Sequence, residues 1–178
     1  MFNISHNSTF ENLLREYDLP QDFAFEIAIP ANVQKILDGQ ILVTELGVTL
    51  NLTSKGLYKA TEPWNNQSYV EDSENHFHVD WCVEPEDIKK AFMLGVKTLI
   101  LLAQKFEKQK LKGIRFWYYF QTPDLSKQWA KTHYLGDDTD DEHFISDRLS
   151  FYTRREGEII VGASNRDNPY GAVLIIDI

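Results

Sequence analysis

The segment that follows Pro85 constrains this chain more than any other. Ile88, Ala91, Phe92, Val96, Leu99, Leu102, Ala103 and Phe106 recur at helical spacing, and Met93, Leu94, Ile100 and Leu101 widen their face almost to a full circle. What stays polar is a narrow seam of Lys90, Lys97, Gln104 and Lys108. Pro85 and the acidic pair Glu86 and Asp87 suit the positive end of a helix, while lysines crowd the final turns and Gly113 supplies a stop. The spacing predicts one helix over about residues 86–110, ~35 Å long. A helix apolar over most of its girth has to be gripped by more than one surface. Its most apolar stretch, residues 91–103, is too short and too interrupted by Lys97 and Thr98 to span a bilayer.

Strand patterns supply the grip. "IRFWYYFQ" (114–121) is a strand by composition and ends at Thr122-Pro123. "RLSFYTRREGEIIVGA" reads as two strands joined at Glu156-Gly157, and "YGAVLIIDI" as a closing strand after the turn "NRDNP". Short connections force such strands antiparallel. Upstream, Phe23, Phe25, Ile27 and Ile29 alternate with Ala24, Glu26 and Ala28 as in a half-buried strand ended by Pro30. Strands near 41–52 and 56–60 suggest a hairpin turning through "LTSKG", and residues 61–75 a polar loop. Short helices are expected near 9–17, capped by Ser8 or Thr9, and over 31–38 and 124–131, with an exposed loop at 135–143. The class that follows is α+β: a mostly antiparallel, curved sheet packed around one long central helix, with short peripheral helices, in a single domain spanning 1–178.

Charge narrows the partners. A formal net charge of −9 opposes binding to a phosphate backbone and favours a basic protein. The lone Cys82 excludes an intramolecular disulfide, and the amino terminus lacks a charged region followed by an apolar run. A cytoplasmic protein without a membrane anchor is expected.

The stretch "NHFHVDWCVE" (75–84) sets His76, His78, Asp80, Cys82 and Glu84 at alternate positions, opposite Phe77, Val79, Trp81 and Val83. The plain reading is the wet face of a strand. The alternative is a metal site, zinc for example, in which His76 and His78 project in parallel and Asp80, His133 or His143 adds a third ligand. Cys82 as a nucleophile would need activation by His78 or His133.

Two further features point to a protein partner. On residues 114–121 the outward set is Arg115, Trp117, Tyr119 and Gln121, and on 148–155 it is Arg148, Ser150, Tyr152 and Arg154; Arg, Trp and Tyr are hot-spot residue types, here on neighbouring strands. "DDTDDE" carries Asp137, Asp138, Asp140 and Asp141, which would dock onto lysines and arginines. The sequence-based expectation is a non-enzymatic interaction protein, an immunity protein or inhibitor that masks a basic partner. The alternative is a metal-dependent or small-ligand enzyme with a pocket between sheet and helix, using His76, His78 and Asp80.

Overall fold

The long helix is present over Ile88–Lys108, 21 residues. The computed structural model describes residues 2–52, 57–60, 66–133, 145–158, 160 and 168–178. In chain order the elements are β1 (Asn3–His6), α1 (Ser8–Glu16), α2 (Ala31–Asp38), β2 (Ile41–Thr44), β3 (Gly47–Leu50), α3 (Gln67–Glu74), α4 (Ile88–Lys108), β4 (Ile114–Gln121), α5 (Pro123–His133), β5 (Ser146–Thr153) and β6 (Ala172–Asp177). A single 3₁₀ turn, Asp80–Cys82, precedes α4. The fold is α+β: an open sheet in the order β1-β6-β4-β5, antiparallel throughout, lies against α4, and β2 and β3 form a separate hairpin. No helix among the described residues is long and apolar enough to cross a membrane.

The helix is gripped from several sides, as its girth requires. Ile114, Phe116, Tyr118 and Phe120 of β4 are buried with Leu149 and Phe151 of β5 and Leu174 and Ile176 of β6 in one core with Phe92, Leu99 and Phe106. Phe106 meets Phe116 and Phe151 edge-on, at 5.0 and 4.9 Å between ring centroids. Phe10 of α1 reaches Phe92 at 5.0 Å. On the α2 side, Lys105 donates to the carbonyls of Leu37 and Gly39, closing the carboxyl end of that helix. Gly95 looks out of place in a long helix until its neighbour is considered: a Cβ there would sit 2.1 Å from Tyr118 Cζ. The missing side chain is the notch into which the Tyr118 phenol packs.

α4 ends a few residues before Gly113. The Leu111 N–H bonds to the Phe106 carbonyl (3.3 Å) and the Lys110 N–H to the Glu107 carbonyl (2.8 Å), with Lys110 at φ 60°. That is a Schellman closure with lysine where glycine is usual. Gly113 (φ 73°) instead leads into β4, its N–H on the Ile178 carbonyl.

Several expectations need correction. Residues 23–29 keep the expected alternation, with Phe23 and Phe25 buried, but they pair with no strand among the described residues. Burial pattern alone does not supply a ladder partner. β1 pairs with β6 and was not legible, since "NISH" has no apolar alternation. The cap of α1 is Asn7, not Ser8 or Thr9. Its Oδ1 accepts from the N–H groups of Phe10 (2.9 Å) and Val173 (3.0 Å), tying the helix start to β6. The hairpin turns at Glu45-Leu46, inside the run read as one strand; Gly47, at φ 136°, permits the turn. Of "LTSKG", residues 53–56 lie outside the described residues. Residues 67–74 are helical rather than loop. The turn at Glu156-Gly157 is present, but Glu158 and Ile160 are not in a strand, and 159 and 161–167 lie outside the described residues.

Two substitutions test this packing. Leu99 is fully buried, so Leu99→Ala should lower unfolding stability in urea by about 2–5 kcal/mol. Gly95→Ala gains about 1 kcal/mol of helix propensity, yet the Tyr118 contact should make it net destabilising by the same assay. A stabilised Gly95→Ala variant would show that the notch is not filled as described.

Candidate functional site

The second face of the sheet is covered. Trp117 and Tyr152 are each 4 % exposed and pack with Val173, Ile175 and Ile160. Over β5 the cover is α3, which folds where a polar loop was expected and lies against β5 and β3. It is fastened by buried polar groups. Trp117 Nε1 donates to Asp72 Oδ1 at 2.6 Å, and Arg148 donates to Asp72 Oδ2 at 2.6 Å while lying over the Trp117 ring. Glu71, fully buried, accepts from the Val48 N–H (2.7 Å), the Thr153 hydroxyl (2.7 Å) and Arg155. Asn75 donates to the Val48 and Phe151 carbonyls and accepts from Thr49. Gly47 returns here for a second reason, because a Cβ there would meet the Glu71 carboxylate at 2.2 Å.

The expected aromatic-arginine patch is therefore not a free surface. Arg115 makes a bidentate pair with Asp177 across β4 and β6 (2.8 and 2.9 Å), and Arg154 adds a contact to Asp177 at 3.3 Å. Arg148 is held by Asp72, Tyr119 is half-buried, and Trp117 and Tyr152 are sealed. Outward alternation was read correctly, but solvent was not what lay outside it. Asp137, Asp138, Asp140, Asp141 and His143 lie outside the described residues.

"NHFHVDWCVE" is not a strand. Phe77 makes one bridge to Leu149, and the chain then bends through Val79 (φ −109°, ψ −13°) into the 3₁₀ turn. Two aspartates cause the bend: Asp147 accepts the Val79 N–H at 3.1 Å, and Asp80 accepts the Trp81 N–H at 2.9 Å. Strand geometry, and with it the parallel projection of His76 and His78, is lost. His76 turns to the Ser73 carbonyl and stands edge-on to His78. Val79 goes inward as expected, but Trp81 goes outward and is 80 % exposed.

What the bend does assemble is His78, Asp80 and Asp147, with one ligand-type atom from each within 4.8 Å of the others. Asp147 is the group that the sequence reading missed. It stands opposite Phe120 on the inward face of β5, with its carboxylate buried and His78 Nδ1 3.6 Å away. Burial lifts the Asp147 carboxyl to about 6; the adjacent Asp80 pushes the same way, and His78 opposes both. The Asp147 carboxylate in turn holds the His78 imidazole above its ordinary value. Burial pushes the Cys82 thiol up, which disfavours the thiolate a nucleophile requires. His133 bonds to the Trp129 carbonyl in its own helix.

No protein-family model matches the chain, and no curated protein or solved structure matches it either. Function has to be argued from these groups alone. Beside them lies a cleft of about 430 Å³ lined by Asp80, Trp81, Val83, Pro85 and Ile145. Trp81 forms one wall, stacked on His78 at 5.1 Å and 15°. The chemistry thus gathers where the start of β5 meets the turn before α4, not between the sheet and the helix.

Glu71→Ala should show how α3 is held. It leaves Arg155 facing a half-buried gap, and losing one partner of a buried pair costs about 3–5 kcal/mol. Urea unfolding monitored by tryptophan fluorescence should show that loss, and a variant as stable as wild type would mean that α3 is held by apolar contacts instead.

Proposed function

We propose that this protein is a non-enzymatic interaction module that binds and masks a basic protein partner, in the manner of an immunity protein or inhibitor. The observation that carries the reading is Trp81, 80 % exposed on a bent turn and braced by His78 at the mouth of an apolar cleft. Tryptophan is the residue type most enriched in binding hot spots, and a rigid indole beside a pocket loses little entropy on docking. This surface takes the place of the β4 and β5 face that α3 covers.

Charge supports a basic partner. Asp80 lines the same cleft, and the acidic run from Asp137 to Glu142 joins the cleft residue Ile145 through His143 and Phe144 alone. With a net charge of −9, the chain would attract a basic surface over several ångströms and orient it before contact.

The test compares the whole chain with two variants as bait in a lysate of the native host, quantified by mass spectrometry at several salt concentrations. Trp81→Ala should leave stability within about 0.5 kcal/mol of wild type, yet lose the basic protein that wild type retains. Converting Asp137, Asp138, Asp140 and Asp141 to Asn should slow association and flatten its salt dependence, with a smaller change in dissociation rate. Identical protein sets on wild type and Trp81→Ala would end this reading.

A further inference from the structure

Asp147 is electrostatically unlike the other buried carboxylates. Among the described residues, Glu71 has Arg155 against it and Asp72 has Arg148. Asp147 has no lysine or arginine there. Its ionisable neighbours are His78 and a second carboxylate, Asp80, and its firm hydrogen bond is the Val79 N–H. A buried carboxylate with another beside it is costly unless a positive charge joins them. The fold nevertheless builds the arrangement from two separate segments, fixing one carboxylate on a central sheet and the other on a tight turn.

The separations suit a metal ion. One atom each from His78, Asp80 and Asp147 falls within 4.8 Å of the others, and ligands on a metal with ~2.1 Å bonds stand about 3–4 Å apart. A buried polar atom lies on the same face of the sheet. The Tyr118 hydroxyl is buried without a hydrogen-bond partner among the described residues. Tyr118 pairs with Leu149 while Asp147 pairs with Phe120, so the two are diagonal neighbours on one face of the sheet. Burial first, and then the Asp147 and Asp80 carboxylates, raise its ionisation well above the usual range.

We propose that His78, Asp80 and Asp147 bind one divalent transition-metal ion through an imidazole nitrogen and two carboxylate oxygens, with water completing the shell. Nitrogen with hard oxygen and no thiolate fits the series from manganese to zinc better than calcium, which takes oxygen ligands, or copper(I), which takes sulfur. His76 is not a ligand in this arrangement.

The test uses the full chain, stripped with chelator and titrated with Mn²⁺, Co²⁺ and Zn²⁺ by calorimetry, with the visible spectrum of the Co²⁺ form recorded. One ion should bind per chain and raise the thermal midpoint. His78→Gln and Asp80→Asn change partly exposed side chains, so both variants should fold, as judged by circular dichroism without metal. Each should weaken binding by about tenfold or more. The variant with Asn at 137, 138, 140 and 141 should bind as wild type does. No saturable uptake by wild type overturns the proposal, as does uptake that both ligand variants retain or that neutralising the loop abolishes.

Discussion

A carboxylate removed from water is stable only where a cation or several N–H groups meet it, and the way this chain meets that demand shapes the rest of the structure. Glu71 and Asp72 are consecutive on α3, so their side chains leave the helix about 100° apart. Glu71 reaches the hairpin and Arg155, whereas Asp72 reaches Trp117 and Arg148. Together they fasten one short helix to β3, β4 and β5. The consequence reaches beyond the helix, because this fastening covers the β5 side of the second sheet face and buries Trp117 and Tyr152.

The same chemistry explains why α3 was not legible in the sequence. Its buried positions are Ser68, Val70, Glu71 and Asp72, with Asn75 just beyond. Hydrophobic periodicity reads burial only where burial is apolar, so a helix held by hydrogen bonds looks like a loop. The parts that were legible bury apolar residues: α4 shows helical period and end signals, while β4 and β6 are apolar enough to be read as strands by composition. Residues 23–29 show the limit from the other side. Their alternation is genuine, because Phe23 and Phe25 are buried, but periodicity does not say whether an extended segment finds a ladder.

The candidate site was half legible. His78 and Asp80 stand out from the alternation of "HFHVDWC", while His76 was grouped with them on a strand geometry that Asp147 and Asp80 undo by capturing backbone N–H groups. Asp147 itself left a signal. With Arg148, Ser150 and Tyr152 facing outward, position 147 must face inward, and an aspartate at an inward position of a strand calls for a partner. Trp81 left none, since its direction depends on the bend and not on its neighbours in sequence.

An indole 80 % exposed invites self-association, and its surroundings argue against that outcome. Asp80 stands beside it, the acidic run 137–142 comes shortly before the cleft residue Ile145 in sequence, and every copy carries a net charge of −9. Two copies approaching through this face would bring like charges together as the water between them is lost, which opposes docking where apolar contact alone would favour it. A basic surface meets the opposite balance, since its charges are attracted at long range and the indole is then buried at short range. On the proposed reading, the acidic charge would discriminate among partners and the tryptophan would supply affinity.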